Sequence, residues 1–217
     1  GLVNQSFSYF PQNGANQAVQ TNPIQKRTKL SIFYINDMHG NIDNMAGMIA
    51  ASDKFDRETG KENVDTLKLS AGDNFSGGDD KKNQVVINLL NRMGIDASAV
   101  GNHEFDSTIS TFYKFLHPEK TKFLAANAKT PNGSEFYKNV QKSTVIDVNG
   151  NKYGIIGLLP FDLEKVVLPE RISDINVQNF EQTVKSTQIE IDKMKAQGVN
   201  KIIILSHIGK DMDEKLA

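Results

Sequence analysis

From Lys29 onward, short runs of unbroken apolar residues alternate with longer stretches whose apolar positions recur every three or four residues. Leu30 to Ile35 is almost continuously apolar, the pattern of a strand buried on both faces. Met45, Met48, Ile49, Ser52 and Phe55 follow at helical spacing, with Gly60 as a stop. Thr66 to Leu69 reads as a second strand. Val86, Leu89, Leu90 and Met93 mark a second helix, closed by Gly94, and Ala97 to Val100 a third strand. Residues 107 to 116 predict a short helix with Ser107 near its N-cap, and Lys122 to Ala125 a short strand. Asn132-Gly133 is a turn. Thr144 to Val148 and Tyr153 to Leu159 flank Asn149-Gly150, which predicts a hairpin with a type I′ turn. Phe180, Val184, Thr187, Ile191 and Met194 form the longest helical stripe, ended by Gly198, and Lys201 to Leu205 reads as another buried strand. Strand and helix alternate three times before the hairpin, which predicts a mixed α/β layered domain over residues 29–217.

Residues 1–28 are different: Gln, Asn, Thr and Pro dominate, and the segment reads as a polar N-terminal extension. Phe7, Tyr9 and Phe10 give it a small aromatic group suited to an edge strand. The chain begins with Gly1 and shows no signal peptide, so it reads as processed or trimmed.

Composition narrows the function classes. Of 217 residues, 38% are hydrophobic and 24% charged, enough for a sizeable core. Basic and acidic residues number 25 and 26, a balance that gives no case for nucleic acid or a membrane surface as partner. No apolar run approaches the roughly 20 residues of a membrane-crossing helix. The absence of cysteine excludes disulfides, thiolate-bound zinc and thiol catalysis, and suits an exported bacterial protein, whether periplasmic, cell-surface or secreted.

The candidate chemistry sits where strands are expected to end. Asp37-Met38-His39, Gly72-Asp73, Gly101-Asn102-His103-Glu104 and Ser206-His207 each follow an apolar run directly. Open α/β sheets bind ligands outside the carboxyl ends of their strands, so these groups should converge on one edge. Three of the four histidines lie there; His117, before Pro118, reads as a surface or capping residue. Carboxylates, imidazoles and an amide oxygen make a ligand set for hard or borderline divalent metals. Asp73 can bridge two cations through its two oxygens. Asn102 offers a neutral oxygen, useful where further negative charge would repel an anionic substrate. His103 follows Asn102 and should point elsewhere than that ligand, placed as a general acid for a leaving alkoxide. Asp106 would hold its imidazole in one tautomer.

Asn36-Asp37-Met38-His39-Gly40-Asn41, Ala71-Gly72-Asp73-Asn74-Phe75-Ser76-Gly77 and Gly101-Asn102-His103-Glu104-Phe105-Asp106 together resemble the calcineurin-like metallophosphoesterases. The phrases Glu104-Phe105-Asp106, Phe75-Ser76-Gly77, Ala125-Ala126-Asn127 and Leu205-Ser206-His207-Ile208-Gly209 resemble more narrowly the bacterial 5′-nucleotidase, UDP-sugar hydrolase and 2′,3′-cyclic-nucleotide phosphodiesterase branch. The resemblance implies a four-layer α/β/β/α sandwich and a dinuclear site for Mn, Zn or similar ions. It implies Asp37, His39, Asp73, Asn102 and His207 as metal ligands, Asn102 also facing substrate, and His103 with Asp106 as the catalytic pair. The implied activity is hydrolysis of nucleotide phosphate esters. Its alternatives are cyclic-nucleotide or nucleotide-sugar hydrolysis, or a catalytically silent surface module. The family continues to a Gly-His-x-His string and a nucleoside-binding domain, neither of which occurs in residues 1–217; the resemblance therefore implies a phosphatase domain that is incomplete at its C-terminus.

Overall fold

The computed structural model describes residues 29–117 and 119–217; the extension expected over 1–28 lies outside them. The chain runs β1 (Leu30–Ile35), α1 (Met45–Thr59), β2 (Asp65–Ser70), α2 (Asp80–Met93), β3 (Ala97–Ala99), α3 (Ile109–Tyr113) and β4 (Lys122–Leu124). These strands form one parallel sheet in the order β1-β2-β3-β4. There follow β5 (Ala128–Lys129), α4 (Phe136–Asn139), β6 (Ser143–Val148), β7 (Asn151–Leu158), α5 (Leu163–Val166), β8 (Asn176–Val177), α6 (Phe180–Ala196), β9 (Lys201–Ser206) and α7 (Lys210–Leu216). In the second sheet β7 pairs antiparallel with β6 and parallel with β9, while β5 and β8 form a small ribbon. Asn149 and Gly150 both adopt positive φ, 53° and 82°, as a type I′ hairpin requires.

The two main sheets pack face to face. Leu67, Leu69, Ala97, Ala99 and Leu124 of the first meet Tyr153, Ile155 and Leu205 of the second. At Gly157 the approach is close: a Cβ there would lie 2.2 Å from the Leu124 carbonyl oxygen, so only hydrogen fits. The Tyr153 hydroxyl donates to buried Asp65 at 2.6 Å, and the Asn149 and Asn151 amides donate to the same carboxylate, pinning the hairpin to the first sheet. The outer face of the first sheet is covered by α2 and α3 through Val86, Leu90, Met93 and Phe112. Met194 of α6 covers Ile156 and Leu158 on the second. The layering is the expected α/β/β/α.

Three local expectations are corrected. Neither β1 nor β9 is buried on both faces: among the described residues each is the outermost strand of its sheet, and Ile32, Tyr34 and Ile204 are exposed. The buried stripe of α6 keeps the expected Thr187 and Met194 but adds Thr183 and Glu190, and Val184 faces out. Glu190 tolerates burial because Ser143 Oγ and Lys193 Nζ donate to its carboxylate at 2.7 and 2.8 Å. The helix expected over 107–116 shrinks to α3, capped by Thr108, whose hydroxyl accepts from Thr111 N, and not by Ser107.

Candidate metal centre

Parallel pairing aligns the strand ends. Ile35 pairs with Ser70 and Ser70 with Ser98, so the loops after β1, β2 and β3 leave from one edge. Leu158 pairs with Ser206, which brings His207 out after β9. The first two loops continue to hold each other beyond the sheet: Asp37 N donates to Gly72 O, His39 N to Asp73 O and Gly40 N to Asn74 O, at 3.2, 2.9 and 2.8 Å. Asp37, His39 and Asp73 all sit in the left-handed region, with φ of 49°, 47° and 53°. Side chains rarely adopt that conformation, and it persists only where the surroundings enforce it. Here it turns three ligand-type side chains toward one point.

Asp73 is that point. It is 4% exposed. Its Oδ2 lies 3.1 Å from His207 Nε2 and 3.6 Å from His39 Nε2; its Oδ1 accepts from His103 N at 3.0 Å. Asp37 Oδ1 stands 3.4 Å from His39 Nε2 and 4.0 Å from His207 Nε2. Two groups able to hold a cation result, Asp37–Asp73–His207 and His39–Asp73–His103, with the ligand atoms in each within 4.8 Å of one another. Asp73 is common to both. The donor chemistry fits divalent cations: His207 Nδ1 donates to the Ala71 carbonyl at 2.7 Å, which leaves the Nε2 lone pair to face Asp73. Burial opposes a charged imidazole here, but hydrogen bonding to Asp73 outweighs it and lifts His207 to about 9. Burial likewise opposes ionisation of Asp73, yet His207 and the His103 N–H hold its carboxyl below the ordinary value.

His103 does not point away from the ligands, as its place after Asn102 led one to expect. Residues 103–105 form a single 3-10 turn, so strand alternation does not apply. The turn folds the imidazole back against His39, with ring centroids 4.5 Å apart. Its Nδ1 meets Asp106 Oδ2 at 2.8 Å, and the same oxygen accepts from Gly77 N. Burial disfavours the imidazolium, but Asp106, helped by the charges of Asp73 and Glu104, more than compensates and His103 is raised overall. Asn102 opens the turn, half-buried, its carbonyl accepting from Phe105 N at 3.1 Å. His117 is exposed and stands outside both groups.

Sequence reasoning missed Glu104, which it used only to recognise a motif. This carboxylate is 1% exposed. Its Oε2 accepts from Gly101 N at 2.7 Å and Asp73 N at 3.1 Å. Its Oε1 accepts from Asn74 N at 2.7 Å, Asn74 Nδ2 at 3.1 Å and Phe75 N at 3.4 Å. Burial and nearby Asp73 push its pKa upward against these N–H groups. The available signal was an acid placed between His103 and the apolar Phe105, at the meeting of two glycine-containing loops whose N–H groups need acceptors.

A layered α/β sandwich with a carboxylate-and-imidazole cluster on its strand-end loops is the build of a metal-dependent phosphoester hydrolase. The chain belongs to the calcineurin-like phosphoesterase family, matched over residues 30–215. Among its relatives, the 5′-nucleotidase of Rattus norvegicus is 30% identical, over 90% of this chain and 36% of that protein. The structure of a 5′-nucleotidase precursor from Thermus thermophilus superposes with a TM-score of 0.72 at 26% identity, covering 87% of this chain and 39% of the other. That of the Haemophilus influenzae NAD nucleotidase gives 0.70 at 27%, covering 87% and 36%. The chain thus spans little more than a third of the length of these relatives. Among the described residues no helix is long and apolar enough to cross a membrane.

Proposed function

We propose that residues 29–217 form the metal-holding domain of a nucleotide phosphoesterase that releases phosphate from 5′-nucleotides. The observation that carries this reading is the sharing of one buried carboxylate, Asp73, by two ligand groups. Asp37, Asp73 and His207 would hold one divalent cation, and His39 and Asp73, with the Asn102 amide oxygen, a second; carboxylate and imidazole together suit Mn or Zn. When bound, such a pair would supply charge neutralisation and Lewis acidity at the phosphoryl group.

The chain's own residues do the remainder. Asn102 offers an oxygen without adding negative charge against an anionic substrate. His103 serves as the general acid and not as a ligand, because its Nδ1–H is engaged by Asp106 at 2.8 Å and that carboxylate favours the protonated ring. The proton at Nε2 is then the one delivered to the leaving alkoxide. An exported setting belongs to the same reading, one structural neighbour being a precursor.

The test is phosphate release by the full-length protein, with Mn or Zn supplied, from AMP, 2′,3′-cyclic AMP and UDP-glucose. Preference for AMP is expected. Preference for either of the others moves the assignment within the family. No hydrolysis and no metal uptake would leave a silent binding module.

A further inference from the structure

We infer that Glu104 is a positioning residue for the metal centre: its buried carboxylate clamps the loop after β2 to the loop after β3 and so fixes the backbone on which Asp73 stands. The inference rests on the reading that Asp73 holds metal. Each hydrogen bond described at the two Glu104 oxygens comes from an N–H group, and the donors belong to residues 73–75 on one loop and Gly101 on the other. The two loops approach closely enough to leave no room for a side chain at Gly72 or Gly101. A Cβ on Gly101 would lie 2.1 Å from Asp73 Oδ1, and a Cβ on Gly72 2.9 Å from Gly101 N. Asp73 itself is held at φ 53°, a conformation uncommon outside glycine. The N–H that fixes this residue is directed at Glu104 Oε2, and the Asn74 N–H that fixes the next is directed at Oε1.

The chemistry makes the role separable from mere filling of space. Glutamine has the same shape but only one acceptor oxygen. In either amide orientation its NH2 would face N–H donors, either Gly101 and Asp73 or Asn74 and Phe75. An isosteric replacement should therefore let one loop go. A residue needed only for packing would tolerate it.

The experiment compares Mn2+ binding by titration and thermal melting in the full-length wild-type protein, Glu104→Gln, and Glu190→Gln as a control. Glu190 is also a buried, hydrogen-bonded carboxylate, but on α6 and away from the site. Both variants should melt lower. Only Glu104→Gln should lose Mn2+ affinity, by roughly 10–100-fold, the usual effect of removing a group that orients a ligand. Nitrogen-15 NMR of the wild-type chain supplies a metal-free readout: the Asn74 and Gly101 amide protons should resonate far downfield and exchange slowly, as N–H groups donating to a carboxylate do. Unchanged Mn2+ affinity in Glu104→Gln, an equal loss in Glu190→Gln, or ordinary, fast-exchanging Asn74 and Gly101 amides would overturn the inference. If Glu104→Gln does not fold, Glu104→Asp replaces it: shortened by one methylene, it should bind more weakly than wild type, and equal binding overturns the role. A wild-type chain that takes up no Mn2+ sinks the metal reading instead, and the amide signals then judge the clamp alone.

Discussion

His207 Nε2 faces Asp73 Oδ2 at 3.1 Å while the other ring nitrogen is tied to the Ala71 carbonyl. A proton and a divalent cation therefore compete for one nitrogen. Hydrogen bonding to Asp73 outweighs burial and pushes His207 in the folded chain up to about 9, above the ordinary 6.5. The stabilisation from this pair is complete below the unfolded value and is lost as pH rises through the folded one, so the metal-free chain should melt progressively lower over that window. Cation binding has the opposite slope, since the proton must leave first: Mn2+ affinity should climb with pH until about 9 and then level. Calorimetry in buffers of different ionisation enthalpy reads the released proton directly. His207→Ala should abolish the metal trend and reduce the melting trend to the part His103, also raised, contributes; trends of wild-type size would place the titration elsewhere.

Asp73→Asn should empty both positions at once. The side chain is common to the two ligand groups, and the substitution removes the anionic charge between them. Elemental analysis of the full-length protein is the measurement. Two metals retained at wild-type affinity would refute the bridging assignment.

His103→Ala should leave metal content near wild type and lower turnover by roughly 10²–10⁴, the usual worth of a general acid. The loss should shrink on a nitrophenyl ester, whose leaving group needs little protonation. Asp106→Asn should follow the same trend more weakly, because it acts through the 2.8 Å contact to His103 Nδ1. Equal losses on good and poor leaving groups would remove the acid role.

Gly157→Ala should destabilise the fold without touching the chemistry. The added Cβ would lie 2.2 Å from Leu124 O, where backbone and not a yielding side chain stands. Overpacking of this kind costs about 1–3 kcal/mol. The melting temperature should fall by about 2–4 °C for each kcal/mol. An unchanged melting curve would mean that the sheets separate more easily than their packing suggests.

The strand-end motifs were legible because parallel strands place their exits on one edge, so Asp37, Asp73, His103 and His207 could be brought together from order along the chain alone. What escaped was set by packing. The apolar run Leu30 to Ile35 looks the same whether its sheet continues past it or stops there, so the exposure of Tyr34 is not encoded locally. On α6, Thr183 and Glu190 are buried, while the more apolar Val184 is left outside. His103 was misdirected because strand alternation was extended into what is a 3-10 turn. Glu104 was hidden for another reason: its value lies in backbone N–H groups, which have no letter in the sequence.

The left-handed backbone at Asp37, His39 and Asp73 sets a direction for how such a protein can age. Each position holds a side chain in a conformation that glycine would accept with less strain, at a saving of about 1–2 kcal/mol in backbone energy. Asp37 and His39 are exposed, so selection for stability alone pushes these two toward glycine, and only the need for the cluster holds them back. Asp73 is different: it is buried, accepts from the His103 N–H and faces His207, so its loss would forfeit those contacts. A lineage released from the chemistry would shed its outer ligands first and its central carboxylate last.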